Sequence, residues 1–98
     1  MKVVWIDRAR QRLRQLHDYI AADAPLVAPQ IVKRLILRSR QLQTAPWSGR
    51  KVPEYQRDDV RELLDPPYRI VYCVHSDRID VLTVRHYRQL LPSDLTEV

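Results

Sequence analysis

The run VRELLDPPYRIVYCVHSDRIDVLTVRHYR, residues 60–88, divides into three consecutive strands. The first covers 60–64 and is broken by Asp65-Pro66-Pro67; the second covers 68–75 and is turned by Ser76-Asp77; the third covers 78–86. β-Branched and aromatic residues crowd the last two, and the short polar link between them is the sequence mark of an antiparallel hairpin. In the second strand Tyr68, Ile70, Tyr72 and Val74 share one face, while Arg69, Val71, Cys73 and His75 share the other, because successive side chains alternate. Both faces are largely apolar, so this strand belongs in the middle of a sheet with something packed on each side. Its charges are pushed to the ends. Arg69 stands where the strand begins, and Arg85, His86 and Arg88 stand where its partner stops, which gathers cationic and titratable groups at one end of the sheet.

Outward from this run, Lys2 to Ile6 reads as a short apolar strand, with Asp7 placed to cap a helix over about residues 8–22. Ala9, Leu13, Leu16 and Ile20 recur at helical spacing and form its buried stripe. Asp23-Ala24-Pro25 ends it, and a second helix starts by Pro29 at the latest, since proline is tolerated only in a first helical turn. Ala28, Ile31, Val32, Leu35 and Leu42 mark its buried side, and Ile36 and Leu37 widen the apolar surface, either to pack on the sheet or to be covered by a partner chain. Residues 44–59, TAPWSGRKVPEYQRDD, carry the only glycine and no periodicity, so they read as a long loop across one end of the sheet. After Arg88 one helical turn and an acidic, frayed tail are expected. The expectation is one α+β domain over residues 1–98, with two N-terminal helices packed on a small, mainly antiparallel sheet.

Lys and Arg number 17 against 12 Asp and Glu, a formal charge of +5, and 14 of the cations are arginines. The excess suits an anionic partner, either nucleic acid or an acidic protein segment, and the planar arginine fork suits phosphate and carboxylate. A merely solvating surface accounts for the same composition. Cys73 is the only cysteine and lies in the expected buried strand, which makes it a core residue and points to a reducing compartment. With no basic-then-apolar leader and no apolar run near 18 residues, a cytoplasmic protein without membrane contact is expected.

No set of His, Cys and carboxylates has metal-ligand spacing, and no phosphate-binding glycine loop occurs, so neither a metal nor a cofactor is expected. The remaining chemistry is metal-free work on phosphodiesters, or simple binding. RNA cleavage by its own 2′-hydroxyl needs a base, a cation beside the developing charge and an acid for the leaving oxygen. Glu54 or His86 suits proton transfer, Arg69 the charge, and Tyr87 the stacking of a base. Arg50, Lys51, Arg61, Arg85 and Arg88 surround them as nucleic-acid contacts. A purely structural reading competes: His86 bonded to backbone, Glu54 paired with an arginine, Tyr87 closing the core.

The fragments GRKVPE, RELL, PYRIVYCV and VLTVRHYRQLLP, following two helices introduced by a tryptophan strand, resemble the RelE/ParE toxin superfamily from Trp5 to Pro92. The resemblance implies the toxin of a type II toxin-antitoxin pair, neutralised in a hetero-oligomer by a cognate antitoxin that wraps it with a partly disordered segment. RelE-like and YoeB-like members cut ribosome-bound mRNA, whereas ParE-like members inhibit DNA gyrase without being nucleases; a third outcome is a non-toxic protein that only binds an antitoxin. In YoeB-like chains a Pro-Glu pair in the loop, an arginine opening the central strand and a terminal His-Tyr form the catalytic set. Pro53-Glu54, Arg69 and His86-Tyr87 match those positions, which implies a metal-independent, ribosome-dependent endoribonuclease. The YoeB-like chains stop at the tyrosine, while this one continues to Val98 and lacks their arginine pair ahead of the central strand. ParE-like toxins also carry a histidine near the end of the last strand, so His86 fits either mechanism.

Overall fold

In the computed structural model, which describes residues 1–98, the chain runs β1 (Lys2–Trp5), α1 (Asp7–Ala21), α2 (Ala28–Ser39), β2 (Arg50–Lys51), β3 (Val60–Asp65), β4 (Tyr68–Val74) and β5 (Arg78–His86). Short 3-10 turns cover Arg40–Gln43 and Leu95–Glu97. The five strands lie in the order β1-β5-β4-β3-β2. β1 runs parallel to β5 and every other pairing is antiparallel, so the fold is α+β with a mainly antiparallel sheet.

β4 is buried along its whole length, as its apolar character on both faces requires. On one face Tyr68, Ile70, Tyr72 and Val74 join Leu63, Ile79, Val81 and Val84 and pack beneath Ala9, Leu13, Leu35 and Leu42. On the other, Val71 and Cys73 join Val60 and the partly buried Leu82 and are covered by Val52, Leu91 and the partly buried Tyr55 and Leu95. The sheet is thus sandwiched between a helical layer and a layer made from loop 52–59 and the C-terminal tail.

A β-bulge interrupts the β4–β5 ladder. Val71 lies opposite Thr83 and Tyr72 opposite Val81, which leaves Leu82 as the extra residue of β5. An uninterrupted alternation from Ile79 and Val81 would continue to Thr83 and Arg85 on the helical side. The bulge reverses the phase, so that Val84 and His86 take the helical side, and Thr83 and Arg85 pair opposite Val71 and Arg69.

Several expectations change. Asp7 does not cap α1: Ile6 is the capping residue, in extended conformation, and Asp7 is the first helical residue, paired with Arg10. The expected start of α2 by Pro29 holds, however: the helix begins at Ala28, which puts Pro29 in the first turn, where its missing N–H breaks no helical bond. The stretch 44–59 is not all loop, because Arg50 and Lys51 pair with Glu62 and Arg61 as a two-residue edge strand. Nor is the tail frayed. Leu91 and Val98 are buried, Tyr55 donates its hydroxyl to the Pro92 carbonyl at 2.7 Å, and Arg8 Nη1 donates to the Thr96 carbonyl at 2.7 Å.

Candidate functional site

Glu62, Leu64 and Arg69 point to the loop-covered side of the sheet, where Glu62 and Arg69 are diagonal neighbours across the β3–β4 ladder. Arg69 Nε donates to Glu62 Oε1 at 2.6 Å. Its Nη1 and Nη2 donate to Glu54 Oε2 and Oε1 at 2.9 and 3.0 Å, a bidentate fork. Glu54 Oε2 also accepts from the Leu91 N–H at 3.3 Å, so this carboxylate ties the loop, the sheet and the tail together. Glu62 Oε2 in turn accepts from Arg50 Nε at 2.8 Å. Burial opposes the charge of Arg69, but its hydrogen bonds to Glu54 and Glu62 outweigh that, and its pKa is raised. The same Arg69 bonds hold the Glu54 carboxyl below the usual carboxylate range, against the effect of burial.

His86 lies across the sheet from this network. It pairs with Tyr68 in the ladder and packs edge-on against that ring, with centroids 6.2 Å apart and planes at 88°. Its Nδ1 accepts from the Arg88 N–H at 3.1 Å, and its own N–H donates to Gln89 Oε1 at 3.0 Å. It lines a cavity of about 480 Å³ against α1, with Arg12 and Tyr19. Tyr87 follows β5, its N–H donating to the Pro67 carbonyl at 2.9 Å, and lines a smaller hollow of about 210 Å³ with Arg50, Leu64 and Arg69. Of the four residues expected to converge, Glu54, Arg69 and Tyr87 thus share the loop-covered side, and His86 does not join them. The bulge at Leu82 is the physical cause.

The surrounding cations divide similarly. Arg50 is taken by Glu62, and Lys51 by Asp58 at 2.5 Å. Arg61 donates to the Gly49 and Asp58 carbonyls at 3.1 and 2.9 Å and lies 5.1 Å from the centroid of the Trp47 ring. Arg88 is exposed and forms no ion pair. Arg85 forms none either, and its buried Nε has no acceptor. Sequence reasoning passed over Glu62, a fully buried carboxylate. Its signal was present, since a glutamate between Val60 and Leu64 on an apolar strand face needs a cation, and the hairpin brings Arg69 beside it.

No three His, Cys, Asp or Glu side chains are grouped to hold a metal ion, and no helix is long and apolar enough to cross a membrane.

Residues 3–91 match the family described as ParE toxin of type II toxin-antitoxin system, parDE. Toxin RelE2 of Caulobacter vibrioides is 33% identical over 89 residues, covering 91% of this chain and 98% of the relative. Putative toxin Y4kP of Sinorhizobium fredii is 34% identical over 96 residues, covering 96% of each. Among solved structures, one titled Chromosomal ParDE TA system from P. aeruginosa superposes with a TM-score of 0.75 at 22% identity, over 88% of this chain and 95% of that one. At that identity the superposition speaks for the shared fold.

Proposed function

The chain belongs to the ParE toxin family of type II toxin-antitoxin systems, and from that premise we propose that it poisons DNA gyrase by binding and does not cut RNA. The observation that carries this reading is the closure of Arg69 by Glu62 and Glu54. A cation that serves a phosphorane must be free to meet charge as it develops. Here Nε and both terminal nitrogens of Arg69 already donate to carboxylates. A general base must hold an available lone pair at a pKa near the working pH. Glu54 has its oxygens committed to Arg69 and Leu91, and its carboxyl is held below the ordinary range. His86, against α1, stands apart from the Glu54–Arg69 pair, which supports a reading without proton transfer between them. The chain's net charge of +5 and its arginine-rich surface are then contact surface for an acidic protein target.

Membership in a toxin-antitoxin family implies an antitoxin. We take its seat on this chain to include the apolar groove between α1 and α2, about 440 Å³, where Trp5, Leu13, Val32 and Ile36 lie between Arg10 and Arg14. An acidic amphipathic segment that orders on binding fits those walls and that rim. Toxin and antitoxin would form a hetero-oligomer in the cytoplasm, where gyrase is found.

Ribosome-dependent mRNA cleavage is the second reading. One observation favours it: Tyr87, Arg69 and Arg50 line one hollow on the side of the sheet that carries Glu54. Induction of the chain in cells, with gyrase-dependent DNA breakage and mRNA cleavage at ribosomes read separately, tests the two. DNA breakage with intact mRNA is expected.

A further inference from the structure

β1 covers β5 only from Arg78 to Val81, with the Ile6 N–H adding one bond to the Val81 carbonyl at 3.2 Å. Beyond that point the edge of β5 faces α1 across the cavity of about 480 Å³. Arg12, Gln15 and Tyr19 line it from α1, Tyr68 from β4 and His86 from β5; Arg85, which leaves β5 on the opposite face beside Arg69, borders it at the uncovered edge of that strand.

Its electrostatics are unbalanced. Arg69 has two carboxylates, whereas Arg85 has none: no ion pair reaches it and its buried Nε donates to nothing. A buried donor without an acceptor is costly and calls for explanation. Burial lowers the pKa of Arg85, the like charge of Arg12 lowers it further, Tyr55 opposes this, and Arg69 adds a lesser lowering. Arg12 forms no ion pair or side-chain hydrogen bond of its own. His86 uses Nδ1 to accept from Arg88, so its neutral ring carries the proton on Nε2 and adds a donor to the wall. Tyr19 is 81% exposed at the mouth, an aromatic face with no core to serve.

Two guanidiniums and an imidazole donor match a phosphate monoester, which carries about −1.5 to −2 charges and three acceptor oxygens, better than a single carboxylate. The volume exceeds what a bare phosphate fills and lies in the range of small-molecule sites, roughly 300–1,000 Å³. An exposed tyrosine beside an anion site offers a stacking platform for a base. We propose that this cavity binds a nucleoside monophosphate, with Arg12 and Arg85 on the phosphate and Tyr19 on the base. The site is separate from the Arg69 network and stands or falls independently of the gyrase reading.

Titration calorimetry of the full chain with AMP, GMP and UMP, beside adenosine and inorganic phosphate, tests it. At least one nucleotide is expected to bind, with its nucleoside and inorganic phosphate each about tenfold weaker or more, and with R12Q and R85Q each weakening it by a similar factor. Thermal melting of R85Q should show a Tm no lower than that of the parent, because a buried Nε without an acceptor is lost. R12Q changes a half-buried residue of α1 that makes no ion pair and keeps the test intact if R85Q fails to fold. Absence of nucleotide binding to the parent chain would overturn the proposal, as would equal binding of AMP and adenosine, equal binding of AMP and inorganic phosphate, or affinity unchanged in R12Q.

Discussion

Arg69 reaches Glu62 inside the sheet, Nε to Oε1 at 2.6 Å, with the two side chains 7% and 0% exposed. Such a pair contributes little net stability compared with apolar residues, yet removing one member strands the other's charge in a dry interior. Glu62→Ala is therefore expected to cost about 3–5 kcal/mol in a urea titration. A loss under about 1 kcal/mol, the scale of exposed pairs, would mean that Glu54 alone satisfies Arg69.

Glu54 links this pair to acid stability. Its hydrogen bonds from Arg69 lower its pKa in the folded chain relative to about 4.3 in the unfolded one. The stabilisation is complete above the unfolded pKa and is lost as pH falls through it toward the lower folded value, because the unfolded state then binds the extra proton. Urea midpoints measured from pH 7 to pH 3 should fall below about pH 5, with part of that fall absent in Glu54→Gln. Parallel curves for the two proteins would contradict the assignment.

Gly49 sits where the chain enters β2, with its N–H donating to the Tyr72 hydroxyl at 2.9 Å. A Cβ there would lie 2.5 Å from the Glu62 carbonyl oxygen and 2.6 Å from the Tyr72 hydroxyl oxygen. The tyrosine tip can move but the β3 backbone cannot move cheaply. Gly49→Ala should cost about 1–3 kcal/mol, the scale of overpacking in a filled core, and a neutral result by thermal melting would show that the β2–β3 edge yields.

Burial pushes the Cys73 thiol up to about 11, and Asp59, whose carboxylate accepts from Sγ at 3.7 Å, adds to the rise. At pH 8 a disulfide reagent should label Cys73 at once in denaturant and only slowly in the folded chain. Between the unfolded pKa of about 8.5 and about 11, stability should fall with rising pH, since the unfolded state sheds its proton first. Fast labelling of the native protein would remove Cys73 from the core.

The two-sided burial of β4 was legible because Tyr68, Ile70, Tyr72 and Val74 alternate with Val71 and Cys73 and leave no polar face. β5 was legible from end to end for a related reason. The edge strand Arg50–Lys51 was not, since two cations held by backbone pairing carry no hydrophobic period. The placement of His86 was beyond the alternation rule: Leu82 looks like any other strand residue, and only the register between Val71 and Thr83 reveals that it is extra. The motif that pointed to catalysis singles out Glu54, Arg69 and His86 by type and position along the chain, but residue types alone do not say on which side of the sheet each emerges. The tail was misread because Leu91 and Val98 belong to no periodic apolar run; Leu91 is buried by the second face of the sheet, and Val98 is held by Arg8.

Supercoiling by purified DNA gyrase, titrated with the purified chain beside a ribosome-programmed mRNA cleavage assay, tests the central claim most directly. The account predicts that supercoiling is lost, that gyrase–DNA cleavage complexes accumulate, and that the mRNA stays intact. Unimpaired gyrase together with mRNA cut at the ribosome, and cutting abolished by H86Q and E54Q, would contradict it.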